Sequence, residues 1–230
     1  MNYDSVPLRD FKELNDWETV IFVYQSALKQ VETKIDILNG EFQHRHKYNP
    51  IEHVKSRIKT PESIVKKLKR HGYESSIENM VRYVNDIAGI RISCSFTSDI
   101  YLIADMISKQ NDLTILARRD YMKNPKKSGY RSYHMLVTTP VFLSDSIIDT
   151  KVEIQIRTVA QDFWATLEHK MHYKFEGDGP DYITKELREC ARYVAELDTR
   201  MEELNNEIQK YGKLSDKNCL LYTSPSPRDA

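Results

Sequence analysis

Two long stretches of the chain repeat an apolar residue at alternating intervals of three and four. Leu14, Trp17, Ile21, Tyr24, Leu28, Val31, Ile35 and Leu38 form the first series; Leu187, Cys190, Val194, Leu197, Met201, Leu204, Ile208 and Tyr211 form the second. So narrow a seam predicts two long helices that bracket the protein, coiled-coil-like rather than broad-faced. Two readings stay open: the seams pack on each other or on the domain between them, or they form an oligomer interface.

Between the helices the period changes. Ile90, Ile92, Cys94 and Phe96 alternate with Arg91, Ser93 and Ser95, and Val152, Ile154 and Ile156 alternate with Glu153, Gln155 and Arg157. This period of two predicts strands over Ile90–Phe96 and Lys151–Arg157. Leu113–Arg119 and Ser132–Thr139 are further strands, and turn residues around Ser144–Asp149 predict a hairpin. Helices are expected from Pro50 to Arg57, from Thr60-Pro61 through Ile64-Val-Lys-Lys-Leu-Lys-Arg70, and over Glu74–Asn85, Asp99–Lys109 and Ala160–Lys174. Thr60 is placed as N-cap with Pro61 at the first helical position. The segment Asp120–Gly129, with Lys, Asn, Pro and Gly, predicts an exposed, mobile loop. The fold class is α+β, with strands and helices interspersed and no internal repeat.

The last twelve residues, Cys219–Ala230, break this pattern with a Ser/Pro-rich run. They resemble an in-frame translation of a transposase adaptor used in sequencing-library preparation, and contribute nothing to the fold or the site expected of the chain. The expected organisation is an N-terminal helical arm (1–48), a catalytic core (49–178), a C-terminal amphipathic helix (179–218) and a non-native tail (219–230).

Composition narrows the function classes. Thirty-four basic and 34 acidic side chains cancel, which excludes a nonspecific nucleic-acid coat. No apolar run approaches the roughly 20 residues that span a bilayer. The N-terminus lacks the pattern of a signal peptide. Three scattered cysteines (Cys94, Cys190, Cys219) form neither a disulfide framework nor a zinc motif, so a cytoplasmic location is expected. His44, His46 and His53 are likewise not spaced as zinc ligands. With neither GxxxxGK[ST] nor GxGxxG present, nucleotide chemistry would have to dispense with a P-loop and a Rossmann turn.

The neutral total hides local segregation. From Lys55 to Arg70 seven basic residues face one acid, Glu62, and from Arg118 to Arg131 six face only Asp120. Acidic residues concentrate in the last helix. Two basic clusters suit a polyanion such as nucleotide phosphates, although a solvated face would read alike. A half-exposed antiparallel sheet would show the same alternation, but Glu153, Gln155 and Arg157 are poor strand formers sharing one face of a strand, which points at least equally to a site. Asp86 enters the first strand through Asp-Ile-Ala-Gly and can bring a second carboxylate near Glu153. Two carboxylates among lysines and arginines suit Mg²⁺ held together with substrate phosphates. In Ser128-Gly-Tyr-Arg-Ser-Tyr-His134, Tyr130 offers a π-face for a base, and Arg131 and His134 offer phosphate or hydroxyl contacts, although on its own the segment reads equally as a strand entry with two packed tyrosines.

Together these segments carry a resemblance. Asp-Ile-Ala-Gly-Ile-Arg-Ile (86–92), Arg118–His134, Val-Glu-Ile-Gln-Ile-Arg-Thr (152–158), Phe163–Lys174 and Pro50–Arg70 resemble, in the same order, the synthetase domain of the RelA/SpoT homologues. The compact form is similar to small alarmone synthetases of the RelQ/RelP type, over roughly residues 10–210. The resemblance implies a mixed sheet flanked by helices, related to nucleotidyltransferases. It implies transfer of pyrophosphate from ATP to the 3′-hydroxyl of GDP or GTP, giving the alarmones of the stringent response and AMP. By position, Asp86 and Glu153 would be the Mg²⁺ ligands, and Glu153 would also activate the acceptor hydroxyl. Arg57 and Arg91 would sandwich adenine. Lys59, Ser63, Lys67, Arg119 and Lys126 would hold the ATP phosphates. Tyr130 would stack on guanine, with Arg131, His134 and Gln155 lining the acceptor site, and the Asp120–Gly129 loop would close over ATP.

The same resemblance implies a synthetase without a hydrolase, since the His-Asp motif of the long family members is absent. It implies a homotetramer or other homo-oligomer built through the terminal helices. Activation by product is left open, because His53, Lys55 and Asp162 stand where the activated type would be expected to differ. Regulation by RNA is left open too. The rival from another class is a nucleotide- or RNA-binding regulator that has lost catalysis, against which the presence of both Asp86 and Glu153 weighs. A polymerase-like nucleotidyltransferase would need a paired-carboxylate strand motif that the sequence lacks.

Overall fold

The computed structural model describes residues 16–46, 48–174 and 181–221. Leu14, the Gly177–Pro180 punctuation and the tail beyond Leu221 lie outside the described residues. Eleven elements follow one another: α1 (Trp17–His46), β1 (Ile51–Ile58), α2 (Pro61–Arg70), α3 (Ile77–Tyr83), β2 (Ala88–Cys94), α4 (Thr97–Ser108), β3 (Thr114–Asp120), β4 (Tyr133–Phe142), β5 (Ile147–Thr158), α5 (Val159–Lys174) and α6 (Asp181–Leu221). The α+β expectation holds. The five strands form one mixed sheet in the order β1-β2-β5-β4-β3, parallel only where β2 meets β5.

The central strands read as the alternation predicts. Ile90, Ile92, Val152, Ile154, Ile156, Met135 and Val137 are buried on one face of the sheet. That face is covered by α4 and by α1, whose Val20, Tyr24, Leu28, Val31 and Ile35 are buried in the same core. The first seam therefore packs on the domain: α1 is part of the core. The second seam differs. Leu197, Met201, Leu204 and Ile208 of α6 are exposed, whereas Ala191, Val194, Asp198 and Glu202 face inward.

The segment from Pro50 to Arg57 corrects the helix expectation, for it is the edge strand β1. Ile51, Val54 and Ile58 are spaced three and four apart, as on a helix. The spacing arises because a bulge between Ile51 and His53 inserts one residue into the ladder against β2. Ile51 and Val54 thereby reach the same face, and a strand imitates a helical period. The helix expected over Glu74–Asn85 is shorter at both ends. Ser76 caps it by accepting from the Asn79 N–H, and Val84 is already extended as the chain turns toward Asp86. The Thr60–Pro61 start is as expected, with the Thr60 hydroxyl accepting from the Ser63 N–H at 3.4 Å.

Ile154 sits at the middle of the central strand with no exposure. Ile154→Ala is expected to lower unfolding free energy by about 2–5 kcal/mol, measured by urea denaturation. A cost near zero would place the core elsewhere.

Candidate active site

Residues opposite one another on a ladder point to the same face, so the sheet registers assemble the site. One row runs across the sheet as Arg57, Gly89, Glu153, Leu136 and Ala117; the next as Lys55, Arg91, Gln155, His134 and Arg119. Five strands thus deliver two rows of side chains to the face opposite α1. Gly89 stands between Arg57 and Glu153, and a Cβ there would meet nothing within 4 Å. The glycine leaves the floor open. Above it lies a cleft of about 210 Å³ lined by Arg57, Asp86, Gly89, Arg91, Glu153 and Gln155 among others. A second, smaller cavity of about 60 Å³ is lined by Asn85, Arg119, His134, Leu136 and again Glu153. Glu153 is the carboxylate common to both.

Asp86 leads into β2 and accepts from Lys59 Nζ and Lys67 Nζ, each at 2.7 Å. Burial pushes its carboxyl up, but the two ammonium groups outweigh burial and hold it at about 2. Glu153 behaves alike: burial raises it, while His134 (Nδ1 at 3.5 Å from Oε1) and the Gln155 amide (Nε2 at 2.9 Å from Oε2) bring it below the usual range. Two ionised carboxylates in one cleft supply the hard oxygen donors that a divalent cation takes. Among the described residues no group of three or more His, Cys, Asp or Glu is placed to hold a metal ion, so substrate oxygens would have to complete the shell.

From Glu153 the polar network continues along β5. Gln155 Oε1 accepts from Arg157 Nη2 at 2.8 Å, and the Arg157 guanidinium lies 5.4 Å from the centre of the Tyr130 ring. The Tyr130 hydroxyl is 2.9 Å from His134 Nε2, which closes the loop back to Glu153. Asp162, in the first turn of α5, faces Arg91 at 3.4 Å, Arg157 at 3.6 Å and Lys55 at 3.9 Å. These contacts fix the guanidinium groups around the cleft.

The structure brings Arg57, Lys59, Lys67, Asp86, Arg91, Glu153, Gln155, His134 and Arg119 to this face. Others stand apart. Ser63 is exposed in the first turn of α2, its hydroxyl accepting from Thr60. Lys126 Nζ lies 4.8 Å from the Tyr130 ring centre and 4.9 Å from that of Tyr121. Arg131 braces the 120–129 loop, its Nη1 donating to Met122 O at 2.6 Å. The sequence singled out Arg157 together with Glu153 and Gln155 but gave no place in the site to Lys151 or Asp162. The alternation that runs from Lys151 through Glu153 and Gln155 to Arg157 was the available signal for the first. Asp162 had no local signal for its ion pairs, since α5 approaches the cleft only in three dimensions.

Residues 56–178 match the family described as "Region found in RelA / SpoT proteins". The chain belongs to the RelA/SpoT family. It is 45% identical over 195 residues to the GTP pyrophosphokinase YwaC of Bacillus subtilis (strain 168), covering 85% of this chain and 93% of that protein. Identity to the GTP pyrophosphokinase YjbM of the same organism is 34% over 194 residues, covering 84% and 90%. Among solved structures, small alarmone synthetase 2 from Bacillus subtilis matches with a TM-score of 0.77 at 44% identity, over 84% of this chain and 100% of that one. Small alarmone synthetase 1 from the same organism, bound to its product pppGpp, matches with a TM-score of 0.78 at 34% identity, over 84% and 98%. This RelA/SpoT chain matches both over nearly their whole length, and the matched family region contains both rows of the cleft except Lys55.

Within this RelA/SpoT site Lys151 is buried, its Nζ donating to Asn85 Oδ1 at 2.7 Å and Arg82 O at 3.3 Å. Burial, with Lys67 nearby, pushes its ammonium down to about 8. An unfolded lysine holds its proton to about 10.4. Between these values the unfolded chain binds more protons, so stability rises with pH. Relative to Lys151→Met, the wild type is expected to gain stability from about pH 8 toward pH 10, read from urea midpoints. A constant difference across that window would exclude a depressed lysine.

Proposed function

We propose that this RelA/SpoT chain is a GTP pyrophosphokinase that moves the β,γ-pyrophosphate of ATP to the 3′-hydroxyl of GDP or GTP, and that it carries synthesis without hydrolysis. The observation that carries this reading is Glu153, the carboxylate shared by two cavities. One cavity is lined by arginines and leads to Asp86 and its lysines; the other is lined by His134 and Arg119 and adjoins the Tyr130 network. ATP suits the first. Arg57 and Arg91 offer planar cations for adenine, a use ammonium groups serve poorly. Lys59 and Lys67 sit where phosphates would compete with Asp86 for their donors, and Ser63 on the helix of Lys67 joins them, whereas Arg119 and Lys126 lie beside the second cavity and the Tyr130 ring and fall to the acceptor side. GDP or GTP suits the second, its base on Tyr130 and its sugar near His134 and Gln155, with Arg131 holding the adjoining loop.

In this arrangement the acceptor 3′-oxygen forms a bond to the β-phosphorus of ATP while the bond from that phosphorus to the α,β-bridging oxygen breaks. AMP leaves with that oxygen, and the hydroxyl proton goes to the Glu153 carboxylate. Asp86 and Glu153 would hold Mg²⁺, which when bound neutralises charge on the migrating phosphates. His134 and Gln155 keep Glu153 ionised and oriented, so that it is ready to accept a proton. The exposed stripe Leu197, Met201, Leu204 and Ile208 on α6 supports a homo-oligomer. Among the described residues no helix is long and apolar enough to cross a membrane, in keeping with a cytoplasmic enzyme.

Incubation with Mg²⁺, ATP and GDP should give AMP and ppGpp in equal amounts on nucleotide chromatography. Glu153→Gln should lower kcat by about 10²–10⁴ while ATP still binds. Tyr130→Ala should raise the acceptor KM by about 10-fold, the loss of one stacked base, with little change for ATP. AMP without ppGpp, or an active Glu153→Gln, overturns the assignment.

A further inference from the structure

The loop that ends at Tyr130 is seated on α6. Gly129 has a φ of +91°, in the left-handed region, and a Cβ built on it would stand 2.5 Å from Ala191 Cβ and 3.8 Å from Arg188 O. Only a hydrogen at 129 permits this approach. Just upstream the loop closes on itself, with Gly129 N donating to Lys126 O at 2.8 Å and Lys126 N to Tyr130 O at 3.1 Å. Tyr130 then packs on Trp164, Ala165 and Ala191, a small apolar cluster separate from the main core.

That cluster is itself tied to α6. Trp164 Nε1 donates to Leu187 O at 3.0 Å, and Asp198 accepts from Thr158 Oγ1 and Gln161 Nε2, each at 2.9 Å. The Tyr130 ring therefore has two anchors. Its hydroxyl meets His134 in the site, and its loop rests on a helix whose opposite side is exposed. The larger cleft has no such link: its lining comes from β1, β2, β5 and the Asp86 turn, with no residue of α6 or of the 120–130 loop.

We propose that α6 is a positioning element of the acceptor site: the seat of Gly129 on Ala191 fixes the Tyr130 ring, so that displacing α6 weakens acceptor binding and spares ATP binding. The proposal rests on the reading of Tyr130 as the platform for the acceptor base. Ala191 and Gly129 are positioning residues, since neither lines either of the two cavities that share Glu153.

Ala191→Leu places a larger side chain under Gly129. It should raise the KM for GDP up to about 10-fold, the cost of losing one stacked base, and leave that for ATP within about twofold. Direct binding can be read from Trp164 emission in a Trp17→Phe background, since the chain has two tryptophans. The half-saturation point for GDP should move with KM. Should Ala191→Leu fail to fold by circular dichroism, Trp164→Phe removes the hydrogen bond to Leu187 together with part of the ring packed in the Ala191 cluster, and should shift the GDP KM in the same direction. Folded variants with both KM values unchanged, or raised equally, overturn the proposal. Tyr130→Ala separates it from the reading beneath. An unchanged acceptor KM in Tyr130→Ala sinks the platform assignment; a raised one beside a silent Ala191→Leu sinks only the role of α6.

Discussion

The structure turns on a charged ladder set into the central strand of a sheet. β5 is hydrogen-bonded on both sides, to β2 and β4, and still carries Lys151, Glu153, Gln155 and Arg157 on one face. Lys151 and Arg157 are each only 2% exposed, a placement that costs several kcal/mol for an uncompensated charge. The compensation is local and consecutive. Lys151 is met by Asn85, Glu153 by Gln155 and His134, Gln155 by Arg157, and Arg157 by Asp162 and the Tyr130 ring. Each group fixes its neighbour, so the geometry of the carboxylate at the centre is set by the need to satisfy the whole row.

The other face of the same strand explains why this is tolerated. Val152, Ile154 and Ile156 are fully buried beneath α1, and a period of two lets one strand serve the core and the site at once. This dual service was legible from the sequence, because Val-Glu-Ile-Gln-Ile-Arg alternates without interruption. β1 was not, since its bulge turned a strand into a three-four spacing that no single-chain pattern distinguishes from a helix. The two terminal seams looked alike and parted in the structure. α1 faces the sheet, whereas α6 uses Ala191, Val194 and Asp198 inward and leaves its larger apolar residues exposed. The sequence pattern reports that a face is apolar and is silent on what covers it.

The candidate site was legible at the level of residue type and much less at the level of partnership. Asp86, Glu153 and the basic clusters stand out because acids and bases in strand-forming segments violate the local rule. That Lys59 and Lys67 both bind Asp86 follows from where α2 starts: the Lys59 N–H donates to Ile87 O at 2.8 Å, which sets the chain entering α2 beside the turn before β2. Such convergence of residues 19 and 27 positions apart follows from the packed fold alone.

The pairing of Asp86 with two lysines outweighs the desolvation of its carboxylate, so it favours the folded state at neutral pH and loses that effect as the pH falls toward about 2. Stability alone does not call for it, since hydrophobic replacements of buried ion pairs often do as well. Its use lies in the exchange it permits. Removing Asp86 would leave two ammonium groups repelling each other; removing the lysines would leave burial to push the carboxyl above its ordinary range. In the proposed reaction both lysines can turn to phosphate oxygens, leaving Asp86 ionised and open to a cation, with no buried charge unpaired in either arrangement. A net charge of zero over the chain is thus compatible with a concentrated field at one point, since the acids that balance the cluster lie elsewhere, many of them on α6.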